Sequence, residues 1–352
     1  MTIETTRAGV VSPFPSESAA TAAARQRIRP GWFGAFAFDR GRVILRKTGN
    51  SAPLDITLAD EVARWLLFQI VLQVLAALRR AIRPAGPAIW FTPDRPGPWY
   101  MVRAAAAWAG VRIAASPDQA DASFFFEDAT TSRPQRLQHQ RSYNFGCTDI
   151  SKSHVAAVFA EVFGYPLALD PLAATGRAVE KGEVNGAHDG RIVQCPTPPL
   201  AGKTYQRLID TVEEDGCVRD LRTHCIDGRP VIVWVKRRAA DQRFLPPNLS
   251  VTMHEPANIF SPEEIASIGR FAVAMRLDWG GLDILRDRAD GRIYVVDVNK
   301  TDAGPITSLS LRDKLRSTAV LANALLAMVA TPTRSRRRTT KMRTTEGQAE
   351  PL

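Results

Sequence analysis

The sequence predicts a chain of mixed fold class, a small α/β unit followed by a larger α+β region. Three observations lead there. From Pro87 onward short apolar runs alternate with an Ala-rich helical segment, the pattern of strands joined by a crossover helix. Beyond residue 144, helical segments are separated by hairpins with turn residues at Asp227-Gly228 and Asp287–Gly291. And 352 residues, 45% hydrophobic and 23% charged, suffice for two domains of ordinary globular composition.

Residues 1–30 are rich in Ser, Thr, Ala and Pro without periodicity and read as a disordered arm. Phe33–Lys47 carries aromatic and β-branched residues around Asp39-Arg40-Gly41, which predicts a hairpin. Thr57–Ile82 is a long helix with Leu58, Val62, Leu66, Ile70 and Val74 on one slowly drifting stripe. Its most lipophilic part, Trp65–Leu78, holds Gln69 and Gln73 and is shorter than the roughly 20 residues a bilayer span needs, so it reads as a buried core helix. An interfacial membrane helix is the other reading. Then come a strand at Ala88–Thr92, a helix at Trp99–Gly110, and strands at Val111–Ala114 and Ala122–Phe126. Hairpin, long helix and this α/β alternation form an N-terminal domain over 31–143. No G-x-G-x-x-G follows its first strand, so a dinucleotide fingerprint is absent.

The region 144–330 opens with a helix capped by Ser151 or Ser153 and stopped by Gly164. Lys152 lies at its positive N-terminal end, well placed for an anion. Residues 177–195 read as strand, polar loop and strand; Gly182, Gly186 and Gly190 in the loop, beside the strand-borne Lys181, suit a cover over phosphates. A solvated edge lysine is the plainer alternative. Lys203–Asp210 is a short strand. In the hairpin from Cys217 to Arg238, Asp220, Arg222 and His224 share one face, and Lys236, Arg237 and Arg238 end the second strand. Acidic neighbours in sequence are few, so the basic cluster invites a phosphate or carboxylate. Arg243–Leu249 is a loop. Ser261-Pro-Glu-Glu starts a helix with Ile265, Ile268, Phe271 and Met275 on its buried stripe, and Leu311–Ala330 closes the region.

The stretch with most chemistry is 280–305. Leu282–Leu285 and Arg292–Asn299 read as paired strands. Residues two apart share a face, so Asp297 and Asn299 point the same way and Asp283 can join them from the partner strand. Two carboxylates and an amide oxygen form a hard-oxygen site suited to Mg²⁺. An ordinary solvated hairpin is the alternative for that short motif alone.

Charge and cysteines narrow the classes. The formal net charge is +10. Residues 331–352, a basic tail read as disordered, contribute six basic and two acidic residues, +4; residues 1–30 contribute +2, and the folded middle the remaining +4. Arg334–Lys341 invites nucleic acid or an anionic membrane, but no aromatic platform is interleaved, and a solvated tail is the simpler reading. Cys147, Cys195, Cys217 and Cys225 form no C-x-x-C pair, which predicts reduced thiols in a cytoplasmic protein; the N-terminus has no signal-peptide pattern.

Read together, the segments from Asn144 to about residue 325 resemble the ATP-grasp superfamily, closest in pattern to the glutamate ligases that extend ribosomal-protein tails. Matching positions are Lys152, Lys181, the hinge Gln206-Arg207-Leu208-Ile209, the D-x-R strand Asp220-Leu221-Arg222, Asp227–Val231 running to Lys236-Arg237, the loop from Arg243 to Asn248, and Gly281–Leu285 with Asp297-Val298-Asn299. Asp297 stands where relatives carry glutamate, Arg207 replaces the hinge glutamate, and Thr301–Pro305 replaces a P-G. The resemblance implies an α+β ATP-grasp fold of two subdomains, preceded by a small α/β pre-ATP-grasp domain. It implies ATP, held by Lys152, Lys181, Gln206, Arg207, Leu208, Asp220 and Asn248, and Mg²⁺ (or Mn²⁺) on Asp283, Asp297 and Asn299. Arg222, Arg237 and Arg243 would serve catalysis. The activity implied is an ADP-forming carboxylate–amine or carboxylate–thiol ligase working through an acylphosphate, which needs no side-chain nucleophile. A nucleotide-binding protein without ligase activity, with a regulatory role, is the alternative. Partners implied are ATP and a small-molecule or peptide carboxylate and amine, with no specific nucleic acid and no membrane span. A homodimer is left open.

Overall fold

The computed structural model describes residues 36–45, 51–82, 86–135, 141–187, 189–243 and 248–330. The expected arm, the basic tail, His188 and residues 244–247 of the Arg243–Asn248 loop lie outside the described residues.

Three short antiparallel strands open the fold: β1 (Phe36–Asp39), β2 (Arg42–Leu45) and β3 (Ser51–Pro53). Arg40 and Gly41, both at positive φ, make the turn between β1 and β2, and glycine takes that conformation without Cβ strain. Helix α1 (Ile56–Ile82) follows. Next come β4 (Ala88–Pro93), α2 (Met101–Ala109), β5 (Arg112–Ile113), β6 (Ala122–Phe126) and β7 (Arg141–Tyr143), with the four strands in one parallel sheet of order β5-β4-β6-β7. Every residue of β6 is buried, as expected of a parallel strand covered on both faces. Gly110 ends α2 in the left-handed conformation.

The second part begins with α3 (Lys152–Phe163). The Ser151 side chain accepts the His154 N–H at its start, and Gly164 caps its end. β8 (Gly176–Gly182), β9 (Arg191–Cys195) and β10 (Lys203–Arg207) form an antiparallel sheet of order β10-β8-β9. Then come β11 (Cys217–Ile226), β12 (Arg229–Ala239), β13 (Ser250–His254), α4 (Pro262–Ala274), β14 (Trp279–Arg286), β15 (Ile293–Asn299) and α5 (Leu311–Ala330). The five strands form one antiparallel sheet, order β13-β12-β11-β14-β15. Ser261 and Glu264 complete a reciprocal capping box at the start of α4.

Two cores sit on opposite faces of the five-stranded sheet. Leu221, Val233, Val235, Leu282 and Ile284 pack with Val155 and Phe159 of α3 and Ile268 and Phe271 of α4. On the other face Ile232, Trp234 and Trp279 join a core with α5, α2 and the parallel sheet. The remainder of that second face is polar, and the candidate site occupies it.

Helix α1 departs from expectation. Its buried residues are Phe68, Gln69, Leu72 and Ala76, while Val62, Leu66, Ile70 and Val74 of the predicted stripe are exposed, Ile70 to 62%. The helix is apolar nearly all round, so two stripes of four-residue spacing fit it equally, and the one with the flat ring and the small alanine packs inward. Its 27 residues and a mean hydropathy of 1.6 over 18 of them also pass the length and composition test for a membrane span. One face is nevertheless engaged: Gln69 donates to the Pro98 carbonyl (3.0 Å) and Arg79 lies over the Trp108 ring at 4.3 Å.

Candidate functional site

Strand pairing builds the site. Asp283 of β14 stands opposite Asp297 of β15, and Gly281 opposite Asn299. Asp297 and Asn299 share one face of β15. A bulge after Asp283 shifts the register, so Val295 and Ile284 turn into the core while the acids stay on the polar face. On the adjoining strands Asp220 of β11 pairs with Lys236 of β12, and Arg222 with Trp234. Arg222 also stands opposite Asp283.

Cations reach these acids from separate elements. Lys152, at the N-terminus of α3, pairs its ammonium with Asp297 and donates to Asn185 Oδ1 (3.4 Å). Asn185 donates in turn to Asn299 Oδ1 (3.3 Å). β15 is the edge strand, leaving its outward Val296 carbonyl free to accept from Lys181 Nζ of β8 at 3.2 Å. Burial pushes the Lys181 ammonium down to about 8 against the opposing pull of Asp297. Arg222 lies 2.9 Å from Asp283 and also pairs with the fully buried Asp302. Lys236 contacts Asp220 at 2.9 Å and Asp283 at 3.2 Å, and Arg238 reaches Asp220 at 3.2 Å. Burial by itself would raise the Asp283 carboxyl; the Arg222 and Lys236 cations outweigh it and hold it far below the usual carboxylate range. Desolvation likewise opposes the charge on Arg222, but Asp283 and Asp302 raise its affinity for the proton.

The polar loop between β8 and β9 folds over this group. Glu183 accepts the Ser153 N–H in the first turn of α3, Asp189 accepts the Gly182 N–H and pairs with Lys203, and the Asn185 N–H donates to Thr130 Oγ1. The loop is thus fastened to both α3 and the segment after β6.

The predicted residues divide. Lys152, Lys181, Asp220, Arg222, Asp283, Asp297 and Asn299 come together. Arg237 does not: one position from Lys236 and Arg238, it points to the opposite face and pairs with Glu213 (3.2 Å) and Asp215. Strand side chains alternate, so a one-residue error in choosing from a run of three bases exchanges the faces. Arg243 donates to Thr211 Oγ1 (3.2 Å), away from the acids. Thr211, Glu213 and Asp215 line a cavity of about 870 Å³ with Arg286 and Arg288; none of the gathered residues lines it. Gln206 is buried, whereas Arg207 is exposed and bonded to Asp287 (3.1 Å), its N–H donating to Leu167 O (2.9 Å). The expected scarcity of acidic partners for the basic cluster is also corrected, since Asp220 and Asp283 arrive from neighbouring strands.

Of the basic cluster it is Lys236 and Arg238, not Arg237, that turn to the site. Missed in the sequence are Asn185 and above all Asp302. Its carboxylate joins Arg222 to His224 Nδ1 (2.9 Å), with the imidazole edge-on to Trp279. A Cβ on Gly281 would fall 2.3 Å from Asp302 Oδ2 and 2.8 Å from Arg222 Nε, so only glycine admits this junction. No periodic signal marks Asp302, which lies in a loop three residues past β15.

The donor set can be tested against the ligands the resemblance implies. Asp283, Asp297 and Asn299 offer oxygen only, the preference of a hard divalent cation. Gln206 Nε2, Asp220 Oδ1, His224 Nε2, Arg238 Nε and Asn248 Oδ1 are buried polar atoms without a partner among the described residues. Such atoms cost about 1–3 kcal/mol each when unsatisfied. Three of them belong to residues predicted to hold nucleotide. The Gln206 Nε2 donor suits a ligand oxygen or ring nitrogen, and the Asp220 and Asn248 oxygens need ligand N–H or O–H groups. The Asp283, Asp297 and Asn299 oxygens suit a divalent cation, so the residues present fit a polar ligand carrying both donors and acceptors.

No protein family matches the chain by sequence, and no curated protein does so. Among solved structures, the chain is similar to the ATP-grasp ligase PsnB complexed with minimal precursor, at 16% identity and TM-score 0.44 over 69% of this chain and 99% of that one. In PsnB with a phosphomimetic variant of the minimal precursor, Mg and ADP, identity is 19% and TM-score 0.36, over 54% of this chain and 62% of that one. The RimK domain ATP-grasp protein from Sphaerobacter thermophilus aligns at 11% identity and TM-score 0.43, over 69% of this chain and all of that one. The D-alanine–D-alanine ligase from Bacillus anthracis aligns at 12% and 0.40, over 69% and 97%. What the site can hold follows from its own side chains.

Proposed function

We propose that the chain is an ATP-dependent ligase that activates a carboxylate and joins it to an amine or thiol. The observation that carries this reading is the meeting of Asp283, Asp297 and Asn299 with Lys152 and Lys181, brought from a helix terminus and a second sheet. Asp283, Asp297 and Asn299 would hold Mg²⁺, with Mn²⁺ as a substitute. Lys152 and Lys181 would hold the phosphates beneath the loop that follows β8, and Gln206 and Leu208 the base. Bound MgATP would supply a phosphoryl group that turns the carboxylate into an acylphosphate, releasing ADP.

The chain's own work is positioning and charge. Arg222, fixed on one side by Asp283 and on the other by Asp302, presents a guanidinium that cannot lose its proton. It is suited to orienting a carboxylate and countering charge on a transferring phosphoryl group. Lys236 and Arg238 replace Arg237 and Arg243 as its companions. The Glu183 contact with α3 holds the loop down and would keep water from a reactive acyl group.

The test is a screen of the purified chain for ADP release with amino acids and short peptides. Asp297→Ala is expected to lose about 10²–10³-fold in turnover, the usual effect of removing one preorganised charge contact. Turnover near wild type in that variant would overturn the metal assignment. MgATP binding without ADP release for any acceptor would favour a nucleotide-binding protein without ligase chemistry.

A further inference from the structure

Lys152 and Lys181 are alike in the phosphate-binding reading, yet they rest on different partners. Lys181 Nζ lies on a backbone carbonyl, that of Val296, at 3.2 Å. Lys152 pairs with the Asp297 carboxylate itself, and its neighbour Asn185 donates to Asn299 Oδ1 at 3.3 Å. Two of the three side chains suited to a divalent cation are thus already held by donors of the same chain. The third, Asp283, is shared between Arg222 at 2.9 Å and Lys236 at 3.2 Å.

These cations differ in what else holds them. Arg222 also pairs with Asp302, and Lys236 also contacts Asp220 at 2.9 Å, so each keeps a carboxylate when Asp283 takes another partner. Lys152 has no second carboxylate among the described residues; its other contact is the neutral Asn185 Oδ1, at 3.4 Å. Lys152 is buried, and it sits in the first turn of α3, where the helix dipole favours negative charge and disfavours a cation. Leaving Asp297 would strand a desolvated ammonium at a positive helix end, which is costly unless another anion takes the place of the carboxylate. A bare divalent cation brings no anion. The phosphates of a nucleotide do.

We infer that Lys152 is an internal counter-cation for Asp297, given up only to a phosphate, so that the chain takes its divalent cation together with nucleotide and discriminates against the free ion. Asn185, bonded to Lys152 and Asn299 at once, guards the second oxygen in the same way. The inference rests on the ligase reading, which gives Asp297 and Asn299 to the metal and Lys152 to the phosphates. It adds that Lys152 acts on the two ligands in opposite senses, raising affinity for nucleotide and lowering affinity for the metal alone.

Binding of Mn²⁺ to the full chain without nucleotide, read by the electron paramagnetic resonance of the free ion, tests this without turnover. Lys152→Gln is expected to bind Mn²⁺ about tenfold or more tightly than wild type, and to bind ATP in EDTA about tenfold or more weakly, the scale of one charge-assisted contact. Lys181→Gln is the contrast. It is expected to lose ATP affinity similarly but to change Mn²⁺ affinity by no more than about threefold, because its ammonium covers no ligand oxygen and acts only at longer range. Asn185→Ala, in a loop, uncovers Asn299 Oδ1 and is expected to tighten Mn²⁺ binding by about threefold, which keeps the test decisive if Lys152→Gln folds poorly. Adding Asp297→Asn to Lys152→Gln is expected to cancel the gain, tying the ion to that carboxylate. Mn²⁺ binding no tighter than wild type in Lys152→Gln and Asn185→Ala would overturn the inference, as would an equal gain in Lys181→Gln. Calorimetry of MgATP binding to the wild-type chain separates the two readings: no binding overturns both, whereas intact binding with no gain in Lys152→Gln overturns this inference alone.

Discussion

Asp302 offers the sharpest test of how the site is held. Its side chain is fully buried, and its two oxygens are shared between the Arg222 guanidinium and His224 Nδ1. Replacement by alanine leaves a cation and a ring nitrogen facing a void, with Arg222 still paired to Asp283. Removing one member of a buried ion pair typically costs about 3–5 kcal/mol, because the other charge stays desolvated. Replacement by asparagine keeps an oxygen for one of the two donors and loses a charge-assisted bond, about 1.5–3 kcal/mol. At about 2–4 °C per kcal/mol for a domain of this size, Asp302→Ala is expected to melt roughly 6–20 °C below wild type, with Asp302→Asn in between. Arg237→Ala is the control. It breaks half-exposed pairs with Glu213 and Asp215, which are worth about 0–1 kcal/mol. Thermal unfolding followed by circular dichroism reads all three. An Asp302→Ala melt within 2–3 °C of wild type, or an Arg237→Ala melt as low as that of Asp302→Ala, would refute the reasoning.

Two further outcomes test the placement of the bases. Lys181 carries its proton below about pH 8 and loses it above, and a bound triphosphate favours the protonated form. MgATP affinity is therefore expected to be full near pH 7 and to fall by up to about tenfold per unit above pH 8, a decline that Lys181→Arg flattens because arginine stays charged; titration calorimetry across pH 7–10 checks it. Arg238→Ala is expected to weaken nucleotide binding and Arg237→Ala to leave it within about twofold, since alternate residues of β12 face opposite sides; fluorescence titration with a nucleotide analogue measures both, and the reverse order would place β12 in the other register.

The sequence was legible where the local period and the burial agree. Asp227-Gly228 and Asp287–Gly291 marked their hairpins, and the alternation around Asp297 and Asn299 put both on the face that Asp283 shares. Helix α4 is another such case: Ile268 and Phe271, with Met275 just past its end, were legible as its inward side because their spacing keeps one stripe, with Glu263, Ser267 and Arg270 off it. Helix α1 fails for the opposite reason. With apolar residues on both sides, periodicity detects a helix but not which side meets the protein, and that choice depends on the shape of α2 and the parallel sheet. The run Lys236-Arg237-Arg238 fails at a finer scale, because which of three bases reaches the site depends on the pairing of Lys236 with Asp220 across the ladder. Asp302 was beyond reach by any local rule, since both of its partners come from a strand some 80 residues earlier.

That distance points to what the N-terminal unit does for the chemistry. Asp302 belongs to a segment, 300–304, that has no strand or helix of its own to hold it. It is fastened instead to the N-terminal unit at several points. Lys300 donates to Ser132 Oγ at 2.6 Å, and Thr301 donates to Asp128 at 3.0 Å. The Met101 N–H at the start of α2 donates to the Asp302 carbonyl at 3.0 Å, and Tyr100 bridges to Ala303. Tyr100 and Thr301 share the Asp128 carboxylate between them. A loop bonded at each successive residue cannot shift without breaking contacts on both sides, so the backbone of Asp302 is set by β6, α2 and the turn after β6. Its carboxylate in turn sets Arg222. The parallel sheet contributes no side chain to the Asp283–Asp297–Asn299 group, yet the aim of the guanidinium that faces that group is fixed through it. Loosening this fastening, as Asp128→Ala would by freeing both Tyr100 and Thr301, is therefore expected to lower catalytic turnover more than nucleotide affinity, and equal losses in the two would argue that the segment serves binding alone.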